Sequence, residues 1–118
     1  MAAHNDTGRD GEEKAVRWLR NRDYEIIGRN WRHGHLEIDI IATREGYLHF
    51  IEVKTRTSRQ FGYPEDEVGP GKLRHMVDAG VAWLALHHGF KRIRFDILSI
   101  RLQPGGLDEY FLIEDVYF

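Results

Sequence analysis

Residues Leu36 to Arg56 read LEIDIIATREGYLHFIEVKTR, and the fold follows from how this stretch is taken. Polar and apolar residues alternate over Leu36-Glu37-Ile38-Asp39-Ile40 and again over Phe50-Ile51-Glu52-Val53-Lys54. A period of two marks strands with unlike faces. It places Glu37 and Asp39 on one face of the first strand, and Glu52 and Lys54 on one face of the second. Between them, Glu45-Gly46 suits a two-residue hairpin loop, with Gly supplying a positive φ. In that register Arg44 pairs with Tyr47, Ile41 with Phe50, Asp39 with Glu52 and Glu37 with Lys54. Glu37 with Lys54 is a favourable pair. Asp39 against Glu52 is not, because like charges directly opposed destabilise a sheet. A divalent cation or a shared proton between the two carboxylates would resolve the conflict. So would a solvated polar face with one acid turned into water. Lys54, two residues after Glu52, adds a cation to position or deprotonate water, completing equipment suited to phosphodiester hydrolysis.

Outward from the hairpin, the chain reads as one domain over residues 8–118 after a disordered tail over 1–7. Its 118 residues are enough for a core. Thr7-Gly8-Arg9-Asp10 looks like a capping box opening a helix, with Glu12 and Glu13 in the first turns and Ala15, Val16, Trp18 and Leu19 as its apolar stripe. A strand from Tyr24 to Trp31 follows, then a turn over Arg32 to Gly34. After Lys54 comes a loop from Arg56 to Gly71. Phe61, Tyr63, Arg56 and Arg59 there have the character of a nucleic-acid contact, although anchoring a long loop to the core is the commoner use of such aromatics. A second helix spans Pro70 to about His88, with Leu73, Met76, Val77, Val81 and Leu84 as its core stripe and Gly80 allowing close packing. Lys72 stands at its start, placed to meet a phosphate. Arg92 to Leu102 alternates as a strand, and Tyr110 to Phe118 forms a last one.

A net charge of −2 argues against a globally basic nucleic-acid binder, although Arg17 to Arg32 and Lys54 to Arg59 are locally basic. No cysteine is present, which removes disulfides and thiolate zinc sites and suits a cytoplasmic location. No run is apolar and long enough for a membrane span. The histidines give neither i, i+4 spacing nor an acid-supported cluster, so a histidine zinc site is not expected.

The ordered set Gly8-Arg9-Asp10-Gly11-Glu12-Glu13-Lys14-Ala15, Glu37-Ile38-Asp39-Ile40-Ile41-Ala42, Glu52-Val53-Lys54-Thr55-Arg56, Phe61-Gly62-Tyr63-Pro64, Lys72 and Arg94-Phe95-Asp96 resembles the YraN-like family. That bacterial group is described as predicted endonucleases of the PD-(D/E)xK superfamily, related to archaeal Holliday junction resolvases. The resemblance implies an α/β restriction-endonuclease-like αβββαβ core: a mixed central sheet flanked by helices, here with an extra C-terminal strand. It implies Asp39, Glu52 and the Val53 carbonyl as ligands of Mg²⁺ or Mn²⁺, Lys54 acting on the attacking water, and Glu12 as an additional acid. Glu37 matches the family's GEID-type motif, with Leu36 in place of its usual Gly. DNA, branched DNA included, would be the substrate, and a homodimer would follow the resolvase analogy. A non-catalytic nucleic-acid-binding or adaptor module fits the same residues, and so does a hydrolase of smaller phosphoesters.

Overall fold

β-strand signals and two helical stripes resolve, in the computed structural model, into the order α1 (Ala3–Arg20), β1 (Glu25–His33), β2 (Leu36–Arg44), β3 (Tyr47–Thr57), α2 (Pro70–Leu86), β4 (Ile93–Leu102), β5 (Glu109–Ile113). The structure describes residues 3–57 and 70–116, with side chains from residue 10 onward. One five-stranded sheet runs in the order β1-β2-β3-β4-β5, antiparallel throughout except for the parallel pair β3–β4. A parallel pair needs a long crossover, and α2 lies within it. The two helices cover opposite faces. Ala15, Val16 and Leu19 of α1 pack on Ile40, Ala42, Ile51, Leu98 and Ile100, whereas Met76, Ala79 and Trp83 of α2 pack on Ile41, Phe50, Phe95 and Ile97. Strands covered on both faces lose the simple alternation of a half-wet sheet, and β4 is buried continuously from Phe95 to Ile100.

The central hairpin forms as its sequence dictates. Arg44 pairs with Tyr47, and both Glu45 (φ 52°) and Gly46 (φ 84°) take the left-handed conformation of a type I′ turn. Close approach of helix to sheet depends on two glycines. A Cβ at Gly80 would sit 2.8 Å from Phe95 Cε1 and 3.1 Å from Phe50 Cδ2, and a Cβ at Gly11 would collide with Thr55 Oγ1.

Several boundaries and faces depart from the sequence reading. α1 begins at Ala3, ahead of the Thr7 start; no proline interrupts the segment, so the helix runs through the cap signal. The buried residues of α2 are Met76, Ala79, Gly80 and Trp83, and Val81 is 60% exposed. The bulk of Trp83, edge-on to Phe50 at 5.6 Å, claims the core, and turning that ring inward swings Val81 out. β5 ends at Ile113, short of the expected Phe118. Asp115 turns left-handed (φ 54°), donates its backbone N–H to Asp96 Oδ1 at 2.8 Å, and Val116 N–H donates to the Phe95 carbonyl.

Asp96 is fully buried and also meets His49 Nδ1 at 2.7 Å, so one carboxylate ties β3, β4 and the C-terminal segment together. Removing a partner from a buried pair leaves the other polar groups stranded. Asp96→Ala is therefore expected to cost about 3–5 kcal/mol in urea unfolding. Val81→Ser, on the stripe that the sequence suggests is core, should stay within about 0.5 kcal/mol.

Candidate functional site

The β2–β3 ladder stops at Ile40 and Ile51. Beyond that rung β2 continues with β1 as far as Leu36–His33, while β3 continues with β4 as far as Thr57–Leu102, so the sheet forks. Asp39 and Glu52 occupy the mouth of the fork. They are not the opposed ladder pair that hairpin counting predicts, and Glu37 does not face Lys54 in a ladder either. Glu37 Oε2 stands instead 3.6 Å from Arg32 Nη2 across β1. Past the fork each strand of the hairpin stays paired on its other edge, β2 with β1 and β3 with β4.

Asp39 fills the gap this leaves. Its Oδ2 accepts the Val53 backbone N–H at 2.8 Å, a side chain standing where a strand carbonyl would have been. The alternation of β2 breaks at the same residue. Ile38 packs with the α2 cluster and Ile40 with the α1 cluster although they are two apart. On β1, Asn30 lies between the Arg29–Ile40 and Trp31–Ile38 rungs, opposite Asp39, with φ 52°. Asn tolerates that left-handed conformation better than most residues, and strain of this kind gathers at functional sites. A lone Asn inside a strand was the one sequence sign of it.

Glu37, Ile38, Asp39, Phe50, Ile51, Glu52, His75 and Met76 line the resulting cleft, whose free volume of about 20 Å³ admits roughly one water-sized particle. Burial is the main cause that pushes the Asp39 carboxyl up to about 6. The Val53 N–H opposes the shift, and the negative charges of Glu52, Glu12 and Glu37 reinforce it. Glu12 thus belongs electrostatically to the site, delivered by α1 at its tight contact with Thr55. Glu52 Oε2 is shut away from solvent and accepts no hydrogen bond among the described residues. Lys72 Nζ is 3.2 Å from that oxygen, close enough for an ion pair but out of hydrogen-bond alignment. Lys54 and Arg56 follow Glu52 along the same side of β3 by strand alternation. Arg59, Phe61 and Tyr63 lie outside the described residues.

As a metal site the arrangement is lean. No group of three or more His, Asp or Glu side chains is disposed to hold an ion among the described residues. A closed cage of protein ligands is therefore not what these residues build. Mg²⁺ asks for less, being held commonly through one or two carboxylates with water and phosphate completing the shell. A Glu52 oxygen that accepts no hydrogen bond, beside a reluctantly ionised Asp39, meets that smaller demand.

The sequence has relatives. The model of the uncharacterised protein family UPF0102 matches residues 11–100. A UPF0102 protein of Bacteroides fragilis is 44% identical over 106 residues, 90% of this chain and 88% of its own. One of Bacteroides thetaiotaomicron is 42% identical over 106 residues, 90% of this chain and 88% of its own. One of Christiangramia forsetii is 39% identical over 118 residues, covering 100% of this chain and 98% of its own.

Two predictions follow from this geometry. Asp39 has a folded-state pKa near 6 against 3.8 for the free acid, so its contribution to stability is complete below pH 4 and is lost as pH rises through 6. Asp39→Asn keeps an acceptor for the Val53 N–H without the charge. It should raise stability at pH 7.5 by about 1–2 kcal/mol, discounted for the residue's partial exposure, with the gain vanishing near pH 4. Chemical denaturation at both pH values reads this directly. Gly11→Ala should cost about 1–3 kcal/mol by overpacking against Thr55, and adding Thr55→Ala should recover most of the loss in a double-mutant cycle.

Proposed function

We propose that this chain, which belongs to the uncharacterised protein family UPF0102, is a metal-dependent nuclease that hydrolyses phosphodiester bonds in DNA, with branched DNA among its substrates. The observation that carries the reading is the fork itself. Two strands separate where Asp39 and Glu52 stand, and a carboxylate holds the gap open by taking over a strand hydrogen bond. Structural ion pairs do not need an acid held against its own ionisation, whereas catalytic sites commonly contain one. The element order, with a mixed five-stranded sheet between two helices, agrees with a restriction-endonuclease-like core.

In this reading Asp39, Glu52 and the Val53 carbonyl hold Mg²⁺ or Mn²⁺. When bound, the ion supplies positive charge against the phosphate and acidifies water. Asp39 keeps one oxygen on Val53 N–H and offers the other, so its direction is fixed before any ligand arrives. Lys54, next in line on β3, positions the attacking water and lends charge to the transition state. Glu12 adds acidity from the α1 side, and Lys72 and Arg56 meet the phosphate backbone. An adaptor that binds nucleic acid without cutting it draws support from one observation: Lys72 already provides Glu52 with a counter-charge.

Labelled single-stranded, duplex, flap and four-way-junction DNA incubated with Mg²⁺ or Mn²⁺ separates the two. The nuclease reading expects cleavage by the unaltered protein, and a loss of at least about a hundredfold in Glu52→Gln, Asp39→Asn and Lys54→Met. Binding without cleavage, unaffected or tightened by Glu52→Gln, would instead establish the adaptor.

A further inference from the structure

Lys72 and any divalent ion at this site want the same atom. Glu52 Oε2 is solvent-excluded and accepts no hydrogen bond among the described residues, and the Lys72 ammonium lies 3.2 Å from it. A Mg²⁺ ligand oxygen sits about 2.1 Å from its ion, so an ion on Oε2 would place two positive centres within roughly 5 Å of each other. At that separation, in a half-buried cleft, the repulsion exceeds thermal energy. Lys72 has a way out. It sits in the first turns of α2 on a four-carbon stem, with its side chain still a quarter exposed, and the stem can swing its charge several ångströms toward solvent.

Resting on the metal-site reading above, we propose that Lys72 is the exchangeable cation of the site. It competes with the divalent ion for Glu52 Oε2 and, once displaced, presents its ammonium to a phosphate of the nucleic acid. Lys54 and Lys72 then have separate duties. Lys54 belongs to β3, two residues after Glu52 on the same side of the strand, and Lys72 moves. Competition at one oxygen is reciprocal by thermodynamic linkage. A polyanion that draws Lys72 away frees Glu52 for the metal, and a metal that takes Glu52 frees Lys72 for the polyanion. Each ligand therefore recruits the other, although neither needs to touch it.

The test is calorimetric titration of Mn²⁺ alone, without nucleic acid, into the unaltered protein, Lys72→Met, Lys72→Arg and Glu52→Gln, with thermal melting to establish that each is folded. Loss of the competing charge should tighten Mn²⁺ binding by roughly fivefold in Lys72→Met, the upper worth of a part-exposed ion pair. Lys72→Arg retains the charge and should stay within about twofold of the parent. Lys72→Met should also melt below the parent without metal and gain more from added Mn²⁺. Equal or weaker binding by Lys72→Met would overturn the exchange while leaving the metal site standing. Absence of binding by all four proteins would overturn the metal site, and the exchange with it.

Discussion

The Val53 backbone N–H lies beyond the last main-chain rung with β2, and Asp39 meets it with a carboxylate. The acidic end of the sheet depends on that substitution of side chain for main chain. A strand leaving its neighbour normally strands a row of polar groups, and a buried, unpaired N–H costs about 1–3 kcal/mol. Here the donor nearest the fork is satisfied by the same residue that brings a negative charge to its mouth. Structure and chemistry are thereby fastened to one atom pair. Truncating Asp39 to Ala would confuse the two, removing charge and stranding Val53 at once, whereas the amide separates them.

The surroundings of Asp39 are adverse to its charge. It is largely buried, and Glu52, Glu12 and Glu37 add repulsion. The chain tolerates this because the rest of the sheet is well made. Two apolar layers sandwich β3 and β4, and the His49–Asp96 pair closes their far end. Local rules broken at one place and obeyed elsewhere are what a functional site on a stable scaffold looks like. The left-handed Asn30 opposite Asp39 belongs to the same pattern.

Much of this was legible in the amino-acid order, and the exceptions have physical causes. The Glu45-Gly46 turn and the pairs from Arg44–Tyr47 to Ile41–Phe50 can be counted from the turn alone, since a hairpin fixes its register locally. Counting fails beyond Ile40, because there the Asp39 side chain takes the Val53 N–H in place of a strand carbonyl, an exchange that a periodic pattern does not contain. The Asp39–Glu52 conflict was nevertheless visible; the fork takes the two acids out of a ladder pair, while Glu52 still opposes the Asp39 charge. Which turn of α2 faces inward depended on where Trp83 found room, a packing question that periodicity leaves open to within one residue. The His49–Asp96 tie was not legible, because it joins residues 47 apart in the chain and forms only once β4 lies beside β3 in a sheet covered on both sides.

The parallel pairing of β3 with β4 has a bearing on how the chain comes into being. Every rung of that pair, from Leu48–Ile93 to Thr57–Leu102, joins residues 45 positions apart. β1, β2 and β3 can assemble as a meander of near neighbours, but β4 must wait for the intervening segment, and closing a loop of that size is slow. On the ribosome, at about 5–20 residues per second, the wait lasts seconds. Through that interval β3 presents an unpaired edge of Leu48, Phe50, Ile51 and Val53, an invitation to the wrong strand. The charges at its far half, Glu52, Lys54 and Arg56, interrupt that apolar run. Residues read first as chemistry thus also act as gatekeepers for an edge that is exposed while the chain is being made.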